Sequence, residues 1–401
     1  MTRLTRLTRL TRLTRLIRLT RLTWLTRLTR LTRLTRPIRP TRLTRRLALT
    51  LTAAALLVAS ALAQPAASAA PAAGAARAAS AAQTSRWPWQ VYAPYLETWT
   101  GDSLPAIAAQ SGASYFSLAF IQTPKKGSCT MTWNGTKTQP IPGPRYQAQI
   151  AQLRRMGGDV VPTFGGFTAD STGTEIADSC TSVRKIAADY ESLITAYHVT
   201  RLDMDVEASS VDNPAGVDRR NKAIAVTEAW AALRDWPLQI QYTLPVEPAG
   251  LEPDALGVLK DAIADGARVD IVNIMTFDYY LSSEPKPLNM GTEAITAAQN
   301  VHRQLVALYP LYPLQRLWEM EGITILPGID DYPGKTEITY LSDTRRILSF
   351  ARAHGLAMLS IWTIERDNGG CPGAIDSNSC SGIKQPPWAF SHLLESYTNW
   401  L

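Results

Sequence analysis

Three carboxylic acids stand at alternate positions in the segment 201–207, which reads Arg-Leu-Asp-Met-Asp-Val-Glu. Successive side chains of an extended strand point to opposite faces, so Asp203, Asp205 and Glu207 would share one face. Closely spaced carboxylates repel each other and are costly to bury, so at least one should keep its proton near neutral pH. A protonated carboxyl beside ionised neighbours is suited to general acid catalysis. Glu207, at the open end of the strand, is the predicted acid.

Two other interpretations of this carboxylate column remain open. It could be an exposed acidic strand end, or it could bind a metal ion. A calcium site, however, usually draws more oxygen ligands from positions close by in the sequence. We therefore expect no metal site and no organic cofactor.

The segments that would position these acids alternate between short apolar runs and amphipathic stretches. The strand candidates, rich in β-branched and aromatic residues, are 90–95, 115–121, 159–164, 201–206, 238–244, 270–277, 323–328 and 356–362. Helical candidates lie at 104–112, 146–156, 182–198, 218–236, 254–266, 290–309, 340–354 and 387–397. Eight β-then-α units predict an α/β fold, the (β/α)8 or TIM barrel. An open doubly wound sheet is the alternative, but no Gly-rich phosphate turn follows the first strand.

The first 85 residues differ in composition from the rest of the chain. Residues 1–46 are dominated by a Thr-Arg-Leu repeat, whose period of three places Arg on every face of a helix. We expect this extension to be disordered, or to come from a start codon assigned too far upstream; a nucleic-acid or membrane-binding arm is the alternative. The apolar run 47–63, with basic residues before it and small residues after it, predicts a signal peptide. Residues 64–85 form an Ala/Pro/Ser linker, and 86–401 a single catalytic domain.

The net charge changes sign when this leader is set aside. The whole chain has 41 basic and 34 acidic residues, a formal charge of +7, but residues 1–85 hold 16 Arg and no acid. Residues 86–401 therefore carry 25 basic against 34 acidic residues, a net charge of −9. A negative folded part disfavours a nucleic-acid partner. The apolar run is too short and too rich in Ala for a stable membrane anchor.

The four cysteines are Cys129, Cys180, Cys371 and Cys380. An even number in an exported chain predicts two disulfides, and we expect Cys129–Cys180 to tie two loops and Cys371–Cys380 to close a short one. The spacings fit no zinc site. Signal peptide and cysteines together predict a secreted, extracellular protein, which we expect to be a monomer.

The carboxylate column of 203–207 on a fourth barrel strand resembles the Asp-x-Asp-x-Glu signature of glycoside hydrolase family 18, the chitinases. Thr163-Phe-Gly-Gly166 resembles the Ser-x-Gly-Gly of that family's strand three. Met275-Thr-Phe-Asp278 resembles its Met-x-Tyr-Asp on strand six, and Trp362 ends strand eight, where the family has the tryptophan floor of the −1 sugar subsite. The four motifs occur in the family's order and cover residues 90–370 or so. The chain most resembles the short, single-domain chitinases secreted by actinobacteria.

This resemblance implies a retaining, substrate-assisted mechanism, a known exception to the two-carboxylate scheme of glycosidases. Glu207 would protonate the leaving oxygen and later deprotonate the incoming water. Asp205 would orient the substrate's acetamido group, whose oxygen attacks the anomeric carbon. Asp203 would hydrogen-bond Asp205 and share a proton with it. The residues expected to bind substrate are Trp362, Asp278, Tyr279, Met275, Gly165, Gly166 and Tyr92.

Some of these positions are less specific, and two depart from the family's pattern. Tyr92 and Tyr95 on strand one, and Trp133 in the second βα loop, could line sugar subsites or simply pack. The first Asp of the family's longer Asp-x-x-Asp-x-Asp-x-Glu motif is Thr200 here, which we expect to change tuning rather than chemistry. The Tyr of Met-x-Tyr-Asp is Phe277, and Tyr279 could supply the missing hydroxyl.

The leading functional hypothesis is a secreted endo-hydrolase of β-1,4-linked N-acetylglucosamine polymers, with chitin or its oligosaccharides as the partner molecule. An endo-β-N-acetylglucosaminidase acting on N-glycans is an alternative within the same family. A catalytically weak, lectin-like chitin-binding barrel belongs to a different class. Family members that lose catalysis usually lose the glutamate, whereas Glu207 is present here.

Overall fold

The computed structural model describes residues 87–279, 287–330, 336–375 and 378–398. The repeat extension, the apolar signal segment and the linker predicted for residues 1–85 lie outside the described residues. The strands are β1 Val91–Tyr92, β2 Tyr95–Glu97, β3 Tyr115–Gln122, β4 Thr132–Trp133, β5 Asp159–Gly165, β6 Arg201–Asp205, β7 Gln239–Pro245, β8 Ile271–Met275, β9 Glu321–Ile325, β10 Gly328–Ile329, β11 Ile338–Thr339 and β12 Met358–Ile361.

The main sheet closes on itself because its first strand pairs at both edges. β1 and β2 are two halves of one strand, separated at Pro94, which has no backbone N–H to donate. β1 pairs with β12 and β2 pairs with β3, both in parallel. Between these edges the order is β12-β9-β8-β7-β6-β5-β3, and every neighbouring pair is parallel. Eight parallel strand positions around a closed ring confirm the predicted (β/α)8 barrel.

Helices follow the barrel strands, and the longer ones cover the outside of the ring. They are α1 Leu104–Ser111, α2 Gln147–Arg155, α3 Phe167–Thr172, α4 Ile176–Ser179, α5 Val183–Tyr197, α6 Ala208–Val211, α7 Pro214–Ala232, α8 Pro253–Asp265, α9 Met290–Leu308, α10 Leu314–Trp318, α11 Leu341–His354 and α12 Ala389–Leu394. Within the part of the chain that the structure describes, no helix combines the length and the apolarity needed to cross a membrane.

The main hydrophobic core lies between the ring of strands and the ring of helices. Helix α5 illustrates how the sequence builds it, since Ile186, Tyr190, Leu193 and Ile194 recur every three to four residues and are all buried. The strands are buried on both faces, as expected for a parallel sheet covered by helices. Polar side chains inside the ring therefore need partners there.

Helix α7 begins at Pro214, four residues before the predicted stretch 218–236, and ends at Ala232. The side chain of Asn213 accepts the backbone N–H of Gly216, and proline occupies the first helical position. Asn as an N-cap followed by Pro is a favoured helix start. The early start leaves only residues 212 and 213 between α6 and α7.

Both predicted disulfides are present, Cys129–Cys180 and Cys371–Cys380. Cys129 follows β3 and Cys180 follows α4, so the first bond joins the connections after the second and third barrel strands. The second bond closes a short loop after β12. Both bonds lie on the side of the barrel where the strands end.

Candidate active site

Asp203 lies inside the barrel and is held by three hydroxyl groups. Tyr95 Oη and Thr163 Oγ1 donate to its Oδ2 at 2.9 and 3.0 Å, and Thr243 Oγ1 donates to its Oδ1 at 2.8 Å. Thr163 is directly opposite Asp203 in the β5–β6 pairing, so its position follows from the strand register. Burial raises the pKa of Asp203 to about 6, and the hydrogen bonds from Thr243, Tyr95 and Thr163 oppose that rise.

Asp205 ends strand β6 and is also buried. Burial raises its pKa well above the usual value, and the negative charges of Glu207, Asp203 and Asp170 raise it further. Its Oδ1 atom has no hydrogen-bond partner among the described residues. A buried carboxyl oxygen without a protein partner is a candidate for contact with a bound ligand.

Glu207 lies two residues beyond the end of β6, at the N-cap position of α6. Unlike Asp203 and Asp205, it is partly exposed. Burial raises its pKa to about 7, and a hydrogen bond from the backbone N–H of Phe167 opposes that rise. The three acids therefore run from a deep, hydroxyl-bonded carboxyl to an outer one that can hold a proton at neutral pH.

Gly165 and Gly166 let strand β5 approach the acids closely. Both have positive φ, 94° and 85°. A Cβ on Gly165 would lie 2.0 Å from the backbone oxygen of Asp205, and one on Gly166 would lie 2.5 Å from the ring of Phe120. Any side chain here would displace either the carboxylate strand or an aromatic ring beside it, so the Gly-Gly pair is required by close packing.

An aromatic row borders the same end of the barrel. Trp362 is half-buried at the end of β12, and its ring lies 5.3 Å from that of Phe120, nearly parallel at 22°. Phe120 lies in turn 6.3 Å from Trp99, at 23°, and Trp99 is 42% exposed. Tyr95, the donor to Asp203, is 5.7 Å from Trp362. The row thus leads from the acids out to solvent.

The strand-six motif contributes to this wall and to a neighbouring polar turn. Met275 and Phe277 are buried with Leu326 against Trp362. Phe277 therefore supplies an apolar surface at the position where the resembled family has a hydroxyl. Asp278 has a positive φ of 54°, and its backbone N–H donates to Asp330 at 3.1 Å.

Three of the aromatic candidates lie away from the carboxylates. Tyr279 is buried, and burial raises the pKa of its hydroxyl well above the usual value, with further contributions from the negative charges of Glu337, Glu293 and Glu247. Tyr92 is fully buried, and its hydroxyl lies 2.9 Å from Ser391 Oγ of helix α12, in the layer outside the barrel. Tyr95, three residues further along, points to the opposite face and donates to Asp203, as strand alternation requires.

Trp133 is also fully buried and packs edge-on against Tyr146 and Tyr197. The remaining departure, Thr200, precedes β6 at the opposite end of the strand from Glu207 and is buried. Its carbonyl accepts the backbone N–H of Gln239. Trp133 therefore packs in the core, and Thr200 lies at the start of β6.

Sequence reasoning missed several residues of the site. Thr243 and Asn273 belong to the hydroxyl network inside the ring, since the Asn273 amide donates to Thr243 at 3.1 Å. Phe120, Trp99 and Asp170 come from the connections or strand ends around the acids. Their only sequence signal is position at the end of a predicted barrel strand, where active sites of this fold lie.

The carboxylate oxygens of Asp203, Asp205 and Glu207 are not close enough to one another to be counted as a shared ion site. Among the described residues, three carboxylates close enough to share one ion occur only at Asp218, Asp261 and Asp265. These lie on helices α7 and α8, outside the ring. The change from buried Asp203 and Asp205 to partly exposed Glu207 is suited to proton transfer.

Comparison with known proteins finds similarity to chitinases in sequence and in fold. No protein-family model matches the chain. It is 33% identical over 322 residues to a probable bifunctional chitinase/lysozyme of Escherichia coli, covering 78% of this chain and 35% of that protein. It is 32% identical over 290 residues to endochitinase 11 of Metarhizium anisopliae, covering 70% of this chain and 53% of that protein. The chain therefore spans about a third and about a half of these two relatives.

Among solved structures, the barrel is similar to active domain 2 of a chitinase from Pyrococcus furiosus, with a TM-score of 0.67 and 28% identity over 79% of this chain and 98% of that one. Catalytic-site mutants of that domain have also been crystallised with chito-oligosaccharides. In sequence the chain is thus similar to two chitinases, and its barrel is similar in fold to a chitinase domain.

Proposed function

We propose that this chain is a secreted endo-hydrolase that cleaves chitin and chito-oligosaccharides by a retaining, substrate-assisted mechanism. The observation that carries the proposal is the position of Glu207, a partly exposed carboxyl with a pKa raised to about 7, at the outer end of a buried carboxylate column. Similarity to chitinases in sequence and structure supports the substrate class. The two disulfides support an oxidising, extracellular location.

In the proposed first step, Glu207 donates its proton to the glycosidic oxygen. The bond from that oxygen to the anomeric carbon breaks, and the acetamido oxygen of the same sugar forms a new bond to the carbon. The raised pKa keeps Glu207 protonated near neutral pH until the leaving oxygen needs the proton. The products of this step are a shortened sugar chain, an ionised Glu207 and a cyclic oxazolinium ion.

In the second step, a water molecule attacks the anomeric carbon while Glu207 takes one of its protons. The acetamido oxygen leaves, and Glu207 is protonated again for the next cycle. Two displacements at the same carbon restore its original configuration. The product therefore carries the β-anomeric hydroxyl at the moment of release.

Asp205 and Asp203 support both steps from deeper in the barrel. The unpartnered Oδ1 of Asp205 would accept the acetamido N–H, which turns the acetamido oxygen toward the anomeric carbon. The negative charge of Asp205 would also stabilise the oxazolinium ion, because fixed charge in a dry site acts strongly. Asp203, held by Tyr95, Thr163 and Thr243, would share a proton with Asp205.

The test is to incubate the full chain with the N-acetylglucosamine tetramer and to record proton NMR spectra within the first minutes. We expect disaccharide whose new reducing end starts as the β-anomer and then mutarotates. An initial α-anomer would contradict the mechanism. Binding of the tetramer without turnover would instead favour the lectin-like function, and release of sugar only from N-glycans would favour the N-glycan hydrolase.

A further inference from the structure

Helix α3, which follows strand β5, lies against Glu207. The backbone N–H of Phe167, the first residue of the helix, is near enough to the Glu207 carboxyl to lower its pKa. Three residues later, Oδ2 of Asp170 accepts the backbone N–H of Glu207 at 2.7 Å. The hydrogen bond from this short helix therefore fixes the main chain of the proposed acid.

We propose that Asp170 is a positioning residue for Glu207, which fixes the main chain of the acid so that its carboxyl meets the glycosidic oxygen. This inference rests on the proposed function and extends it to a residue outside the carboxylate column. Asp170 does not act on the substrate in this proposal. It acts through the hydrogen bond to the Glu207 backbone.

The need for such a contact follows from where the sheet ends. Strand β6 ends at Asp205, and the backbone N–H of Val206 still donates to the carbonyl of Thr243 on β7 at 2.9 Å. Glu207 is the next residue, and its N–H donates to Asp170 instead of to a neighbouring strand. Asp170 thus accepts the backbone N–H that a neighbouring strand would otherwise accept. It does so at Glu207, where the position of the main chain determines where the carboxyl group lies.

Asp170 is itself fixed in place. It is fully buried, and its backbone carbonyl accepts the hydroxyl of Ser209, two residues beyond Glu207, at 2.5 Å. Asp170 therefore binds the segment after β6 at two positions, the backbone N–H of Glu207 and the hydroxyl of Ser209. Since Oδ1 of Asp170 has no hydrogen-bond partner among the described residues, the Glu207 N–H is the hydrogen bond that the structure gives this carboxyl.

The charged groups around Asp170 belong to the same two segments, those that follow strands β5 and β6. Burial and the carboxyl of Glu175 raise the pKa of Asp170 well above its usual value, the guanidinium of Arg220 lowers it, and Glu207 raises it again. Arg220 pairs with Glu175 at 2.9 Å, with both side chains buried. Burying a carboxyl group near other carboxyl groups costs free energy. The hydrogen bond to the Glu207 main chain is a role that accounts for an acid at this position.

Asp178 offers a matched control, because it joins the same two segments. Its two oxygens accept from Ser210 Oγ at 2.6 Å and from Asn213 Nδ2 at 2.8 Å. It therefore joins the connection after β5 to the connection after β6, as Asp170 does. The hydrogen bonds of its carboxyl group do not involve Glu207.

The experiment compares Asp170→Asn, Asp170→Glu, Asp170→Ala and Asp178→Asn in the full chain, with the N-acetylglucosamine tetramer as substrate and thermal unfolding as a check on folding. Asn keeps an acceptor oxygen in place without the charge, whereas Glu keeps the charge but moves the acceptor by one methylene group. We expect kcat within about fivefold of wild type for Asp170→Asn, about tenfold lower for Asp170→Glu and about 100-fold lower for Asp170→Ala, with KM within threefold throughout. Asp178→Asn should keep kcat within about threefold.

Three results would overturn the inference: Asp170→Glu as active as Asp170→Asn, Asp178→Asn as impaired as Asp170→Ala, or losses confined to KM. The Asn and Glu pair decides the question even where Asp170→Ala does not fold. Absence of turnover by the wild-type chain would contradict the proposed function itself and the inference with it. An active wild type with one of the three results above would contradict the inference alone.

Discussion

The hydroxyl of Tyr95 donates a 2.9 Å hydrogen bond to Oδ2 of Asp203, which links the first barrel strand to the fourth across the interior of the ring. Both side chains are buried. The same tyrosine packs against Trp362, the proposed sugar platform, at 5.7 Å. One residue therefore connects the deepest acid of the site to the wall on which a sugar would stack.

Replacing Tyr95 by Phe should lower kcat about tenfold with KM within threefold, because a hydrogen bond to a buried ionised group contributes about 1.5–3 kcal/mol. The pKa of Asp203 should rise further, since this hydroxyl opposes the effect of burial. Steady-state kinetics on the N-acetylglucosamine tetramer would measure both constants. Tyr92→Phe is the matched control, because it removes an equally buried hydroxyl that bonds Ser391 outside the ring. Equal loss of kcat in the two variants would refute the role given to Tyr95.

The aromatic row predicts a dependence on substrate length. Trp99 is the exposed outer member of the row, so Trp99→Ala should raise KM for the hexamer about threefold to tenfold, in keeping with the loss of about 1 kcal/mol of apolar contact. KM for the trimer should change less than twofold. Trp89 is more exposed, at 80%, but precedes β1 at the opposite end of the barrel. If Trp89→Ala raised KM for the hexamer as much as Trp99→Ala does, the row would not be part of the cleft.

Stability should depend on pH through Glu207. Its pKa rises from 4.5 to about 7 on folding, mainly by burial, so the folded state binds the proton more tightly than the unfolded state. The contribution of Glu207 to stability is therefore complete below pH 4.5 and is lost as pH rises through 7, by about 1–3 kcal/mol. Glu207→Gln cannot ionise and lacks this loss. In chemical unfolding, the free energy of unfolding of the variant should rise relative to that of wild type between pH 5 and pH 8. The same difference between the two proteins at both pH values would contradict the raised pKa of Glu207.

The barrel could be predicted from the sequence because its signals are local and repeated. Each of the eight predicted strands overlaps an observed strand, and each predicted helical stretch overlaps an observed helix. The column of Asp203, Asp205 and Glu207 likewise follows from strand alternation alone. Both disulfides followed from an even number of cysteines and their order along the chain.

The rest of the site depends on contacts between distant segments, which periodicity does not report. Strand alternation places Tyr92 and Tyr95 on opposite faces, but which of them faces Asp203 follows only from how the ring closes. Asp170 is separated from Glu207 by 37 positions, and no spacing rule pairs them. The early start of α7 was signalled by Asn213-Pro214, a capping pattern that a reading based on apolar periodicity overlooks.

The central claim is that Glu207 is the acid and base of a chitin hydrolase, and Glu207→Gln tests it most directly. Hydrolysis of the N-acetylglucosamine tetramer should fall at least 1000-fold in this variant, because the amide neither donates nor accepts the proton in the reaction. Its affinity for the tetramer, measured by calorimetry, should stay within about fivefold of wild type, since the carboxylate column and the aromatic row are intact. Turnover by Glu207→Gln at more than a tenth of the wild-type rate would contradict the account.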